Sequence, residues 1–384
     1  VSVVNLKVVV LYHHNSKNKI SIYNFMSEST KVRAIAFYLP QYHPIPENDE
    51  WWGKGFTEWT NVTKAKPLFK GHYQPHLPAD LGFYDLRLPE ARQAQANLAQ
   101  EYGIHGFCYY HYWFGNGKRI LERPFNEVIE SGQPNFPFCL AWANQTWSGI
   151  WHGLTDKILV EQTYPGKEDY KAHFYSLIKA FTDPRYIKID DKPVFLIFRP
   201  QELPNALEFM DYWRELSLKV GLKGIYFIAI RDPYLWSGEL NGFDGVTSLP
   251  PFDVLSQISP SVFDRILRKI LRKFLQDYPS TYKYSEFVQY AKDYRISKDG
   301  FFPCICPNWD NTPRSGINGR VLENSTPELF RIHLRDAIES ISQRSEKERF
   351  IFIKSWNEWA EGNYLEPDQK FGTSYLDVLK DEIF

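Results

Sequence analysis

The chain has 384 residues, 43% hydrophobic and 24% charged, enough apolar material for a barrel of roughly 250 residues with insertions. A formal net charge of -1 excludes the basic face or stripe of a nucleic-acid-binding protein, and no apolar stretch reaches the roughly 18 to 20 residues of a membrane span. Aromatic residues make up 17% of the chain, a supply of flat rings that serves either core filling or stacking on the apolar faces of sugars.

In chain order, residues 1–30 read as an appendage to a domain over 31–384. Val1–Leu11 is apolar but carries only Lys7 and no small-residue cleavage site, so a secretory leader is not expected, and Met26 reads as a translation start. Short apolar or β-branched runs then alternate with helical patterns. The strands are expected at Arg33–Tyr38, Gly106–His111, Pro137–Ala143, Pro193–Phe198, Gly224–Ile230, Gly242–Thr247, Phe301–Cys306 and Phe350–Lys354. Helices are expected at Pro89–Tyr102, Arg123–Glu130, Glu168–Phe181, Pro204–Val220 and Pro327–Ser342. This alternation predicts an α/β fold, a (β/α)8 TIM barrel in a single domain, with long loops after strands 1 and 6, at Pro40–Pro89 and 249–300. Long loops in compact domains are usually functional. Inside the second, Val262, Phe263, Ile266, Leu267, Ile270, Leu271, Phe274 and Leu275 form an apolar stripe faced by arginines and lysines. This basic amphipathic pattern over 262–275 reads either as a barrel-side helix with a solvated face or as a peripheral contact with an anionic membrane.

Cys108, Cys139, Cys304 and Cys306 lie in apolar runs and read as reduced, buried thiols of a cytoplasmic protein. Cys304 and Cys306 share a strand face, but no second pair at zinc spacing accompanies them, and in His72-Tyr73-Gln74-Pro75-His76 the proline prevents a helix that would align the two rings. No metal is expected, and no glycine-rich phosphate loop of dinucleotide or P-loop spacing is present.

Barrel enzymes build their sites at the C-terminal ends of strands. Those ends are polar and aromatic here, supplying Tyr38, Tyr110, His111, Trp113, Trp142, Asn144, Trp147, Arg199, Arg231, Asp232, Trp309, Asp310, Trp356, Asn357 and Trp359 as candidates for substrate binding. Glycosyl transfer needs one carboxylic acid to protonate a leaving oxygen and one carboxylate to act on the reacting centre. Glu358 and Glu361, after the last strand, supply such a pair. Proximity and the flanking Trp356 and Trp359 push towards retention of a proton on one of them. The alternative is two solvated acids at a helix start. Glu58 either binds substrate hydroxyls or holds the first loop. Asp310 either orients a hydroxyl or pairs with Arg314. Trp142 and Trp147 are either stacking platforms or loop packing.

Three motifs, Ala36-Phe37-Tyr38-Leu39-Pro40-Gln41-Tyr42-His43, Trp51-Trp52-Gly53-Lys54-Gly55-Phe56-Thr57-Glu58-Trp59 and Trp356-Asn357-Glu358-Trp359-Ala360-Glu361-Gly362, resemble the WbsX family, over about Arg33 to Tyr375. That family is often labelled a glycosyltransferase of lipopolysaccharide or O-antigen clusters and is similar to glycoside hydrolase family 99, the endo-α-mannosidases. The resemblance implies a barrel without a metal or other cofactor, and a retaining reaction in which the sugar's own 2-hydroxyl attacks the anomeric carbon to give a 1,2-anhydro intermediate. It casts Glu358 as the base on that hydroxyl and Glu361 as the general acid that later activates water. Tyr38 and Asp310 match those hydrolases in kind, while the first loop and the 249–300 insertion follow the WbsX pattern.

The leading expectation is a glycoside hydrolase or transglycosidase acting on an oligo- or polysaccharide. The second is a glycosyltransferase of O-antigen or capsule assembly at the inner membrane face, although no Asp-x-Asp motif stands in a nucleotide-sugar context. The third is a catalytically silent carbohydrate-binding barrel.

Overall fold

The computed structural model describes residues 31–149, 157–230, 241–255, 258, 278–293 and 300–384. The expected segments 1–30 and 262–275, together with Arg231 and Asp232, lie outside the described residues.

Eight parallel strands form the barrel: β1 Arg33–Tyr38, β2 Ile104–His111, β3 Phe138–Trp142, β4 Lys192–Ile197, β5 Tyr226–Ile230, β6 Gly245–Thr247, β7 in two pieces at Phe301–Phe302 and Cys304–Ile305, and β8 Phe350–Ile353. Each pairs with its sequence neighbours, and β8 returns to β1 in the register Arg33↔Phe350 to Ala36↔Ile353, which closes the cylinder. Pro303 divides β7 because it has no N–H to give to a ladder. Phe301–Phe302 pairs with β6 and Cys304–Ile305 with β8, so the break falls where the strand exchanges one neighbour for the other.

These strands are apolar on both faces because both are covered, as parallel sheets require. On β2, Cys108 meets Cys139 of β3 in register, whereas the alternate residues Phe107 and Tyr109 pack against Tyr38, Phe125 and Phe136 in the surrounding layer. All four cysteines are buried and unpaired. The helices of that layer include Pro89–Glu101, Arg123–Ser131, Ala206–Lys219 and Pro327–Ile341. The first two and the last open on a proline in the first turn, where a missing N–H costs nothing. One expected helix, Glu168–Phe181, is two: Lys167–Ser176 and Ile178–Thr182, with Leu177 closing the first and opening the second.

The long first loop folds back over the C-terminal end of the barrel through short helices at Pro46–Trp52 and Glu58–Lys64. In the second insertion, Ser280–Lys283 pairs in parallel with Arg320–Glu323, and Tyr284–Asp293 packs Tyr284 and Phe287 into a small core shared with Cys306 and Trp309.

Trp213 is fully buried and packs on Phe195 of β4 and Phe227 of β5, with ring centroids 5.0 and 6.2 Å away, locking its helix to the barrel wall. Replacing it with alanine leaves a large cavity, and Trp213→Ala is expected to cost about 3–5 kcal/mol in chemical denaturation.

Candidate active site

The site grows from the end of β8. The strand reads Phe350-Ile351-Phe352-Ile353, all buried, and the next residue, Lys354, is a charge carried into that apolar wall with its side chain only 6% exposed. A tight turn then presents Glu358 and Glu361 together. Asn357–Glu358 pairs antiparallel with Asn363–Tyr364, and Trp359–Glu361 forms a single helical turn closed by Gly362. Gly362 sits at φ +59°, and a Cβ there would stand 2.8 Å from the backbone N of Asp310, so glycine is required on both grounds. That close approach allows the Asp310 N–H to donate to the Glu361 carbonyl at 2.7 Å, which ties the loop after β7 to the turn.

The two carboxylates share one ammonium. Lys354 Nζ lies 3.2 and 3.3 Å from the two oxygens of Glu358 and 3.3 Å from Oε2 of Glu361. Arg314, from the loop after β7, donates to Oε1 of Glu361 at 2.6 Å and to Oε1 of Glu58 at 2.7 Å. Ser355 donates to Glu358 at 3.1 Å. Glu358 and Glu361 stand within hydrogen-bond reach of each other, and their protonation states diverge. Burial pushes the Glu358 carboxyl up, and although Lys354 opposes this, the Glu361 charge adds to it, leaving it at about 7. Burial also acts on Glu361, but Lys354 and Arg314 outweigh it and hold that group down at about 2. The two carboxyls therefore titrate as a pair, with Glu358 pushed towards keeping a proton and Glu361 towards losing one.

Around this centre the expected residues divide by strand parity. Successive side chains on a strand point to opposite faces, and Tyr110 of β2 stands against Glu358, its phenol pushed well up by burial and then by the Glu358 and Glu361 charges. Tyr112 has Glu358, Arg314 and Glu58 among the charges acting on it and touches Trp147, which in turn meets Trp51 edge-on with ring centroids 6.1 Å apart. His111, Trp113, Trp142 and Tyr38 are a correction to the expected site: they point into the helix layer. His111 Nε2 lies 2.8 Å from Nε2 of His173, with burial pushing both rings well below the ordinary histidine value. Trp113 stacks on the same His173, Trp142 packs edge-on to it, and the Tyr38 hydroxyl donates to Gln95.

The remaining candidates hold loops in place. Asn144 accepts from the Arg199 N–H and donates to the Arg199 carbonyl. The Arg199 side chain is 43% exposed, beside Gln145 and Glu202. Asn357 accepts from the Leu39 N–H and donates to the Leu39 carbonyl, and its own carbonyl takes the Tyr42 hydroxyl, joining the loops after β1 and β8. Trp359 stacks on Tyr364 and donates to the buried Glu366, and Trp356 packs on Phe107. Trp309 offers its ring face to Lys354 Nζ at 4.9 Å.

Asp310 pairs with His72 at 2.7 Å, and also takes Gln74 and Thr312, where a pairing with Arg314 was one expectation. Burial opposes its charge, yet the His72 bond and neighbouring histidines hold its carboxyl below the usual range. Arg314 instead binds Glu58 and Glu361, which makes Glu58 an indirect partner of the acid pair. The residue that strand-end reading passed over is Lys354. Its trace in the sequence is a lone lysine after an apolar strand, four residues before Glu358, which by itself reads as an exposed strand end. Among the described residues, no cluster of His, Cys, Asp or Glu is placed to hold a metal ion, and no helix is long and apolar enough to cross a membrane.

A raised carboxyl ties stability to pH. Between the unfolded glutamate value of roughly 4.3 and about 7, folded Glu358 keeps a proton that the unfolded chain has lost. Its contribution to stability is therefore full below that window and falls as pH rises through it. Denaturation of wild type and Glu358→Gln at successive pH values should show the variant gaining relative stability across the window, with a constant difference above it. A difference that stays flat from pH 4 to 8 contradicts the assignment.

A "glycoside hydrolase-like protein" of known structure superposes with a TM-score of 0.57 at 15% identity, covering 92% of this chain and 94% of its own. The endo-α-mannosidase of glycoside hydrolase family 99 from Bacteroides thetaiotaomicron gives a TM-score of 0.53 at 15% identity, over 91% of this chain and 96% of its own. At that identity the likeness is one of fold. In sequence, an "uncharacterized protein WxcX" of Xanthomonas campestris pv. campestris strain B100 is 37% identical over 356 residues, 92% of this chain and 50% of the relative. Its counterpart in strain ATCC 33913 is 36% identical over the same share. The chain thus spans about half the length of the curated relatives it matches. The family model described as "Glycosyltransferase WbsX" matches residues 34–379, and the chain belongs to the WbsX family.

Proposed function

We propose that the chain is a glycoside hydrolase or transglycosidase that cleaves a glycosidic bond in an oligo- or polysaccharide, with Glu358 and Glu361 as its catalytic carboxylates. The observation that carries this reading is one buried pair of carboxyls at the end of β8 that shares the Lys354 ammonium, with Arg314 on Glu361 alone, so that burial pushes Glu358 up while the two cations hold Glu361 down. Pairs of titratable groups pushed apart in this way are how one site supplies an acid and a base at the same pH. The resemblance to glycoside hydrolase family 99 implies a retaining route through the sugar's own 2-hydroxyl, to which the separations of the usual two-carboxylate schemes do not apply.

In that route Glu358 takes the proton of the 2-hydroxyl as its oxygen bonds to the anomeric carbon, and Glu361 gives a proton to the departing glycosidic oxygen. Water then opens the 1,2-anhydro ring, losing a proton to Glu361 while Glu358 returns its own to O2. The charges around the unliganded pair favour the proton on Glu358, the reverse of these roles, so the transfer to Glu361 that precedes the first step runs against that bias. Tyr112, Trp147 and Trp51 form a run of aromatic rings beside the centre, suited to stacking on a pyranose face.

The glycosyltransferase reading is favoured by the description of the matching family model. A polysaccharide panel assayed with wild type, Glu358→Gln and Glu361→Gln, each with and without nucleotide sugars, separates the two. Hydrolysis or transglycosylation without a donor is expected, falling by about 10²–10⁴-fold in each variant. Product that depends on a nucleotide sugar and survives both substitutions overturns the hydrolase reading.

A further inference from the structure

Lys354 is arranged unlike an ordinary wall ion pair. A buried lysine whose task is structural needs one carboxylate, whereas this ammonium spans both oxygens of Glu358 and one of Glu361. Among the described residues, the second cation, Arg314, pairs with Glu361 and Glu58. Each Glu361 oxygen therefore has its own cation, Arg314 on Oε1 and Lys354 on Oε2, while Glu358 depends on the one ammonium it shares. With all groups ionised, three carboxylates face two cations, and so buried a cluster lowers its energy by taking up one proton.

We propose that Lys354 is a positioning residue whose shared ammonium sets the pH range over which the Glu358–Glu361 pair gives up its proton. The proposal rests on the reading of those two glutamates as the working carboxylates, but not on any particular substrate. The other groups facing them are committed elsewhere. Glu58 is held by Arg314, Ser355 donates to Glu358, and burial pushes the Tyr110, Tyr112 and Cys306 side chains up and keeps them neutral. Lys354 itself is opposed by burial, but Glu358 and Glu361 outweigh that and hold its ammonium above the ordinary lysine value, so it stays charged while the pair titrates. Removing this charge takes a cation from both carboxylates, and both ionisations must move to higher pH.

The test needs no sugar. The infrared absorbance of protonated carboxyl groups is followed against pH in wild type, Glu358→Gln, Lys354→Arg, Lys354→Met and Lys354→Gln, with folding checked by near-ultraviolet circular dichroism. Wild type should lose a carboxyl signal near pH 7 that is missing from Glu358→Gln; Glu366, which burial also pushes to about 7, persists in that variant and serves as the internal reference. Lys354→Met or Lys354→Gln should move the Glu358 loss upward by about one to three pH units, and Lys354→Arg should leave it near its wild-type position. An unmoved loss in either folded neutral variant overturns the proposal. If neither neutral variant folds, the ¹⁵N resonance of the Lys354 ammonium in the wild-type protein decides. A step at the pH where the Glu358 carboxyl is lost supports the proposal, and a featureless titration overturns it. Failure of the polysaccharide panel with the infrared shift intact sinks the hydrolase reading alone, whereas hydrolysis with an unmoved carboxyl sinks only the role of Lys354.

Discussion

Charge balance inside a wall that admits little water governs the rest of this molecule. Glu58, Glu358 and Glu361 bring three carboxylates to one place, and Lys354 and Arg314 bring two cations. Taking ions out of water is costly unless their partners are close and well oriented, so the segments that deliver them must be held to within a fraction of an ångström. Glu58 comes from the long loop after β1, Arg314 from the loop after β7, and the other three from the end of β8. The joints between those segments are correspondingly specific. Asn357 exchanges two hydrogen bonds with Leu39, Asp310 N–H meets the Glu361 carbonyl, and Gly362 leaves room for that approach. Loss of any joint would leave a buried charge without its partner.

The barrel itself was legible because its signal is redundant. Eight apolar runs, each too short for a buried helix and each followed by a turn, specify eight strands, and closure then follows from pairing each strand with its neighbours. The break at Pro303 is visible in the sequence as a proline inside a strand run. The split at Leu177 is not, because residues 168–181 keep a helical pattern across it.

The site was legible at the level of segments and misread at the level of faces. Strand ends were correctly located, but a run such as Tyr110-His111-Tyr112-Trp113 places alternate residues on opposite sides of the wall. Tyr110 and Tyr112 meet the acid cluster, whereas His111 and Trp113 meet His173 in the helix layer. Counting by twos from a known inward residue would have made that division, and no feature of the aromatic residues themselves distinguishes the two sets. Lys354 went unassigned for a different reason. A lysine after an apolar run reads as the exposed end of a strand, and only the turn that folds Glu358 and Glu361 back over it makes it a buried counter-ion.

A raised carboxyl value does not by itself mark a working group, and this chain contains the comparison that shows why. Burial pushes both Glu358 and Glu366 to about 7. Glu366 is surrounded by neutral donors, the indole of Trp359 at 2.6 Å, the amide of Gln95 at 2.7 Å and the hydroxyl of Tyr84 at 2.9 Å. None of them accepts a proton from it near neutral pH, so its proton has nowhere to go and its bonds hold Trp359 and the first loop in place. Glu358 has an ionised carboxylate within hydrogen-bond reach and an ammonium that contacts both. Its proton has a second carboxylate within reach, although the cations on Glu361 bias it towards Glu358. That difference in partners, rather than the difference from an ordinary glutamate, is what separates a carboxyl that braces a loop from one equipped to exchange a proton with a substrate.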